Sequence, residues 1–331
     1  MQVWHSSSDV PADFGASVLT IGIFDGVHRG HQEVVRETVR IARERNFPAV
    51  ALTFDPHPRL VHNPDSDMHL IASLADRLER LETAGMDAVF VQHYTLDYAQ
   101  QSAEDFVVQQ LIGMLHAAVI VGGEDIRFGK DNSGDADALC RLGEAHGTDI
   151  VILDDVCDEH DGRRWSSTWV RDLLRSGNVR KTAEILGRPH RIRGNVQHGF
   201  KRGRQLGFPT ANLPGVGVGE IPADGVYAGW LVRTIPETQA TEHLPAAISI
   251  GTNPQFEGVE RTVEAHVLGR SDLNLYGEEV AIDFIDYVRP MMSFDAVEQL
   301  LSQMDNDLRT AADILSVPVA TRVDPGSVTA K

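Results

Sequence analysis

Apolar positions in the first half of the chain alternate between two periods. Residues 18–23 form a mostly apolar run of strand length, and then Val34, Val35, Thr38, Ile41 and Ala42 recur at helical spacing. The same exchange repeats: strands are predicted over 49–54, 88–92, 117–121 and 150–153, with helices over about 30–45, 73–84 and 103–115. Strands alternating with helices predict a doubly wound, parallel α/β sheet. After a short helix over about 178–186, the pattern changes at Gly187-Arg188-Pro189. Short runs rich in Val, Ile, Tyr and Phe follow at 190–197, 225–235, 244–250, 261–268 and 278–288, separated by glycine turns. They predict an antiparallel β domain, a small closed barrel. Phe294, Val297, Leu301, Met304, Leu308 and Leu315 mark one last amphipathic helix, with Ser293 as its expected N-cap. The expected division is therefore 1–186, 187–316 and a polar, disordered tail over 317–331.

A chain of 331 residues has room for two cores, which agrees with the break in pattern. Its 42% hydrophobic and 24% charged residues are those of a globular protein. The net charge of −18 argues against nucleic-acid or anionic-membrane partners, although a local site for a small anion stays open. The N-terminal residues lack the pattern of a signal peptide, and no apolar run approaches the ~20 residues of a membrane span. Cys140 and Cys157 make no close-spaced metal or redox motif. The expectation is a cytoplasmic protein with small-molecule partners.

Candidate chemistry gathers at the predicted strand ends. Gly22-Ile-Phe24-Asp25-Gly26-Val-His28-Arg-Gly30-His31 follows the first strand and opens a helix, where ligands of open sheets bind. Its glycines let a ligand approach the backbone, and two imidazoles three residues apart suit a polyphosphate. An ordinary strand-to-helix turn is the competing reading. His57, within Asp55-Pro56-His57-Pro58, and the loop Gly122–Lys130 stand at two further strand ends. Ser166, Ser167 and Thr168 precede a helix whose first turn carries Arg171, which suits either a plain cap or a phosphate grip.

In the second half, Gly194, Gly199, Gly203 and Gly207 interleave with Lys201, Arg202 and Arg204, a pattern that could cradle phosphates through backbone N–H groups and charge. Thr210 and Asn212 lie on one face of an extended segment and offer neutral oxygens for Mg²⁺ beside substrate phosphates. Over 261–268, Val263, Ala265 and Val267 share one face, and Glu264, His266 and Leu268 share the other. Glu264 is either an exposed strand carboxylate or a proton acceptor for an alcohol.

These motifs, taken in order over residues 15–310, resemble the bacterial bifunctional riboflavin kinase/FAD synthetase family. The first half is similar to nucleotidyltransferases in Gly22-x-Phe24-Asp25-Gly26-Val27-His28-x-Gly30-His31, Thr53-Phe54-Asp55-Pro56-His57-Pro58 and Ser166-Ser167-Thr168-x-x-Arg171. The second half is similar to flavokinase barrels in Gly207-Phe208-Pro209-Thr210-Ala211-Asn212, Pro222-Ala223-Asp224-Gly225-Val226-Tyr227 and Ser249-Ile250-Gly251-Thr252-Asn253-Pro254. Ile126 and Trp165 depart from the residues expected at their positions, each keeping an apolar side chain. The resemblance implies a Rossmann-like nucleotidyltransferase domain followed by a riboflavin kinase barrel. It implies ATP as co-substrate, Mg²⁺, and riboflavin, FMN and FAD as substrates or products. It makes His28, His31 and Glu264 catalytic. It assigns nucleotide and phosphate contacts to Gly22, Phe24, Asp25, Gly30, Ser166, Ser167, Thr168 and Arg171, and in the barrel to Gly194, Gly199, Lys201, Gly203, Arg204 and Gly207. Flavin contacts fall to His57, Pro58, Asp125 and Phe128, and metal contacts to Thr210 and Asn212. A single-activity nucleotidyltransferase with a flavin-binding barrel is the alternative.

Overall fold

The computed structural model describes residues 1–158, 162–198, 207–236, 238–252 and 261–323. Two compact units are present. The first holds Met1–His69 and Leu74–Ser167, and the second holds Leu70–Ser73 and the chain from Thr168 onward.

The first unit is built on six strands: β1 (Gln2–Trp4), β2 (Ser17–Ile21), β3 (Ala49–Asp55), β4 (Ala88–His93), β5 (Ala117–Gly123) and β6 (Asp149–Leu153). They pair in the order β1-β4-β3-β2-β5-β6, and every pairing is parallel. Both faces are covered, so the central strands read as continuous apolar runs rather than alternating ones. Leu19, Leu52, Phe90 and Ile120 pack into one core layer, and Val18, Ala51, Val89 and Val119 into the other. Helix α1 (Arg29–Arg45) turns Val35, Thr38, Ile41 and Ala42 inward and ends at Asn46, whose φ of 55° stops the helix. The short α2 (Pro58–His62) follows β3, and α3 (Leu74–Thr83) precedes β4. Helix α4 begins at Ala103–Asp105, capped by Ser102, and continues with π-helical bonding over Phe106–Met114. Helix α5 (Ala136–His146) leads to β6. Strand β2 pairs with β3 on one side and β5 on the other, so strand order reverses beside its carboxyl end. That is where ligands of such sheets bind. The predicted elements form here with ends shifted by a few residues, while the edge strand β1 and helix α2 carry no periodic signal.

The second unit opens with α6 (Ser167–Arg175), whose residues from Thr168 onward belong to it, and α7 (Val179–Leu186). Helix α7 buries Val179, Thr182, Ile185 and Leu186 and contacts β7 and β12, so the break at residue 187 marks where strands begin rather than where this unit begins. Its strands are β7 (His190–Asn195), β8 (Ala211–Leu213), β9 (Gly225–Thr234), β10 (Thr241–Thr252), β11 (Arg261–Val267) and β12 (Glu279–Arg289). They form one antiparallel sheet in the order β7-β12-β9-β10-β11-β8. The sheet curls until its two ends meet at one bridge, between Gln197 and Asn212. Closure thus rests on a bridge and not on a full ladder among the described residues.

Helix α8 (Val297–Leu315) covers one face, with Leu308 and Ala312 against Phe208 and Leu268. Its N-cap is Ala296, which offers no side-chain acceptor; the expected cap at Ser293 does not form because the helix starts later. The stretch expected to be loose from Val317 onward is partly docked. Val317 and Ala320 join the Phe208 cluster, and the Val323 N–H donates to the Gly207 carbonyl at 3.1 Å. Apolar side chains in a polar tail explain this, since each finds an apolar face to cover.

Candidate functional site

In the first unit the loop after β2 is wound tightly. The Gly22 N–H donates to the Leu52 carbonyl at 3.0 Å, and a Cβ on Gly22 would lie 2.9 Å from the Phe24 ring. Phe24 and Val27 both have positive φ, 53° and 41°, and both are buried. For a β-branched residue that is a true outlier, and each such residue costs about 1–3 kcal/mol unless its surroundings over-determine it. Here the Val27 N–H donates to the Phe24 carbonyl at 3.0 Å, and Gln32 Nε2 donates to the Val27 carbonyl at 2.8 Å.

The loop delivers His28 to the N-cap of α1, where its Nδ1 accepts a weak bond from the His31 N–H at 3.4 Å. That bond leaves the neutral ring's proton on Nε2. The two imidazoles stack, 3.7 Å apart and 21° from parallel. Burial, then the neighbouring His28 and Arg164, hold the His31 pKa well below the usual imidazole value. His31 is only half-buried as a residue, but its Nδ1 is sealed and has no partner among the described residues. The result is a neutral imidazole at the N-terminus of a helix, with room to gain charge stabilisation from an incoming anion. Gly30 suits the close approach here, since a Cβ would meet the His28 ring at 3.1 Å and push it by a few tenths of an ångström. Ser167 Oγ, at the end of the first unit, donates to the Asp25 carbonyl at 2.8 Å. Asp25 is buried, Ser166 is half-buried, Thr168 is exposed, and Arg171 is buried one turn into α6.

His57 stands at the end of β3 as the N-cap of α2, with Nδ1 accepting from the Arg59 N–H at 3.0 Å, and Pro58 is the first residue of that helix. Asp125 is exposed and ion-paired with Arg164. Phe128 is drawn into the core, 5.7 Å from Phe106, and shows no surface to a ligand in this conformation. The sequence reading missed the aromatic group beside these ends: Tyr94 meets Phe54 edge-on, and its hydroxyl lies 3.0 Å from His62 Nε2. Tyr98 completes it, donating to Gln110 at 2.6 Å. Phe54 near the end of β3, with Tyr94 and Tyr98 after β4, was the available signal.

In the second unit Glu264 on β11 faces Asn212 on β8 in register. Thr210 Oγ1 donates to Glu264 Oε2 at 3.3 Å, and Asn212 Nδ2 reaches the Thr210 carbonyl at 3.2 Å and its hydroxyl at 3.3 Å. Burial holds the Glu264 carboxyl above the usual carboxylate range, and the Thr210 bond opposes this. The face Glu264 shares with His266 and Leu268 is not a solvated one: His266 is 4% exposed and Leu268 packs on α8. His266 Nδ1 donates to the Pro209 carbonyl at 2.8 Å. A pocket opens beside Thr210, lined by Val196, Pro209, Val267, Leu275, Tyr276 and Arg270. Gly207 takes a φ of 85°. Gly194 lies within β7, where a Cβ would meet Val218 at 2.7 Å, so its role there is packing. Gly199, Lys201, Gly203 and Arg204 lie outside the described residues, as do Asn253 and Pro254.

Comparison with known proteins reaches the same two regions. Residues 10–169 match the FAD synthetase family, and residues 186–315 match the riboflavin kinase family. A bifunctional riboflavin kinase/FMN adenylyltransferase of Escherichia coli strain K12 is 32% identical over 95% of this chain and 96% of its own length. The chain belongs to the bifunctional riboflavin kinase/FMN adenylyltransferase family. A Listeria monocytogenes protein with the same description is 34% identical over 88% of this chain and 90% of its own. A solved structure described as a macrolide-efflux protein from Streptococcus pneumoniae has a TM-score of 0.82 and 31% identity, covering 94% of this chain and 98% of that one. Among the described residues, no helix is long and apolar enough to cross a membrane.

A riboflavin kinase/FMN adenylyltransferase holds one reaction in each half, and the geometry above divides the same way. His28, His31 and Ser167 converge around the loop after β2, while Thr210, Asn212 and Glu264 converge between β8 and β11. For the metal, the donors at hand are a hydroxyl, an amide and a carboxylate. No group of three or more His, Cys, Asp or Glu side chains suited to a metal occurs among the described residues. Neutral oxygens with one carboxylate fit Mg²⁺, which keeps several waters and shares substrate phosphates.

Proposed function

We propose that the chain makes FAD from riboflavin in two ATP-dependent steps, one in each unit. In the barrel, the 5′-hydroxyl of riboflavin attacks the γ-phosphorus of ATP, the bond to the β-phosphate oxygen breaks, and FMN and ADP leave. Glu264 orients that hydroxyl and takes its proton. A carboxyl raised by burial is a better proton acceptor than one in water, and such help contributes ~10²–10⁴-fold. Thr210 positions the carboxylate, and Thr210 with Asn212 would hold Mg²⁺, which when bound offsets phosphate charge.

In the parallel sheet, an FMN phosphate oxygen attacks the α-phosphorus of a second ATP, giving FAD and pyrophosphate. His28 and His31 stabilise charge on the phosphates, and Ser166 and Ser167 hold the leaving pyrophosphate. Gly22, Phe24, Asp25 and Gly30 shape the backbone cradle. His57 and Pro58 flank the flavin, and so does the exposed Asp125; Phe128 would support that wall from the core. Phosphoryl and nucleotidyl transfers depend on positioning and charge more than on covalent catalysis, and no enzyme-bound intermediate is needed. On this reading the protein acts in the cytoplasm, where ATP is at hand, with small molecules as its partners.

The observation that carries this reading is the Thr210–Glu264–Asn212 group, which a plain flavin-binding barrel would not need. Purified protein is incubated with riboflavin, ATP and Mg²⁺, and the flavins are separated by chromatography. FMN followed by FAD is expected. FAD from supplied FMN, but no FMN from riboflavin, would leave a single-activity nucleotidyltransferase; no product at all would leave a binding protein.

A further inference from the structure

Arg77 takes no part in either reaction as described, yet its side chain is completely buried in the first unit. Removing an ion from water is costly unless its donors are matched, so a sealed guanidinium needs a reason. The reason lies in what it touches. Nη1 donates to the Ile23 carbonyl at 2.9 Å and to the Phe54 carbonyl at 3.2 Å, and lies 3.4 Å from Thr53 Oγ1. Nη2 donates to Asp55 Oδ1 at 3.1 Å. Thr53 Oγ1 in turn donates to the same Ile23 carbonyl at 3.1 Å. The charges of Asp25 and Asp55 both attract the guanidinium.

These partners sit at the carboxyl ends of two neighbouring strands: Ile23 just past β2, and Thr53, Phe54 and Asp55 in the last residues of β3. The Ile23 carbonyl immediately precedes Phe24, the first residue with positive φ in the loop that carries His28. Phe54 and Asp55 close β3 and lead straight to His57. We propose that Arg77 is a positioning residue for FMN adenylylation, tying the His28 loop to the His57 loop so that nucleotide and flavin are held in one register. This rests on the reading of the first unit as the adenylyltransferase. The planar fork matters as much as the charge: one guanidinium spans four acceptors on two chain segments, whereas an ammonium is a point donor.

The test uses the full chain with Arg77→Lys, Arg77→Met and Thr53→Val, the last removing the hydroxyl that shares the Ile23 carbonyl. Riboflavin phosphorylation, whose residues lie in the other unit, reports an intact second unit, and the thermal unfolding of each variant against wild type reports folding of the first. Displacing reacting groups by 1 Å can cost ~10²-fold, so Arg77→Lys is expected to lower kcat for FAD formation at least about tenfold. The KM for FMN or ATP should rise at least about threefold with it, because both loops bind substrate. Thr53→Val should shift the same constants in the same direction by less. A fall in kcat with both KM values unchanged would mean only a smaller folded fraction, and it would overturn the proposal, as would wild-type kinetics. If Arg77→Met loses both activities, Arg77→Lys and Thr53→Val decide. If the wild-type chain makes no FAD, the functional reading fails by itself. The clamp is then read by hydrogen exchange, where Arg77→Lys must deprotect residues 23–25 and 54–57 together, and protection retained in either segment overturns it.

Discussion

Thr210 and Glu264 are joined by a hydroxyl-to-carboxylate hydrogen bond of 3.3 Å, on a segment that His266 also grips through the Pro209 carbonyl. Two side chains of β11 thus hold the approach to β8, and the carboxylate proposed to take the substrate proton is held by a residue proposed to face the metal.

Replacing Glu264 with Ala should lower FMN formation by ~10²–10⁴-fold, the usual worth of general-base help. FAD formation from supplied FMN should stay at the wild-type rate. Separate assays with riboflavin and with FMN check this; loss of both activities would contradict two independent sites.

Glu264 also predicts a conflict between stability and activity. Its carboxyl is raised in the folded protein, so its contribution to stability is fully present below the unfolded value of 4.5 and is lost as pH rises through the folded value. Glu264→Gln should therefore raise the melting temperature of the barrel at neutral pH, and this advantage should vanish below about pH 4.5. Calorimetry across that range measures it.

His28→Ala should do the opposite of Glu264→Ala. FMN accumulates, and FAD formation falls by ~10²–10³-fold, the cost of removing a preorganised donor to developing charge. Steady-state assay of FAD from FMN decides, and a wild-type rate would remove His28 from the mechanism.

His31 and His266 carry a pH signature of the other sign. Burial holds both below the ordinary imidazole value of 6.5, so the unfolded chain takes up protons that the folded one refuses. Stability should decline as pH falls through about 6.5 and below. His31→Gln and His266→Gln should each reduce that slope in denaturant titrations at pH 5 to 8.

Gly207→Ala should destabilise the barrel. Its φ of 85° suits glycine, and a Cβ would lie 2.4 Å from the Val323 carbonyl oxygen. A left-handed residue alone costs about 1–2 kcal/mol, and displacing the docked 317–323 segment adds to it. A lower melting temperature and a raised KM for ATP in FMN formation are expected. Truncation after Ser316 should reproduce part of the loss by uncovering Phe208.

Most of the architecture was legible because its cause is local. Continuous apolar runs mark strands buried on both faces, and period 3.6 in α1 and α8 marks a helix with one side inward. Residue type and spacing singled out His28, His31, Ser167, Thr210, Asn212 and Glu264; folding brings the first three to one loop and the last three together. Phe128 was not, because an aromatic ring in a strand-end loop can turn toward a ligand or into the core, and packing on Phe106 chose the core. Gly194 reads as part of a glycine-rich loop until Val218 fills the space above it.

The sequence by itself determined two regions of different class, most of their strands and helices, and the residue types proposed for both sites. Only the tertiary structure decided the strand order that sets the His28 loop beside the reversal point at β2, and the contact of Thr210 with Glu264, 54 residues apart. It also decided that Arg77, one charged residue among several on α3, would be sealed between two loops. Periodicity records which face of an element is buried. Which partner fills that face, and which polar groups must be matched there, depends on segments distant in the chain.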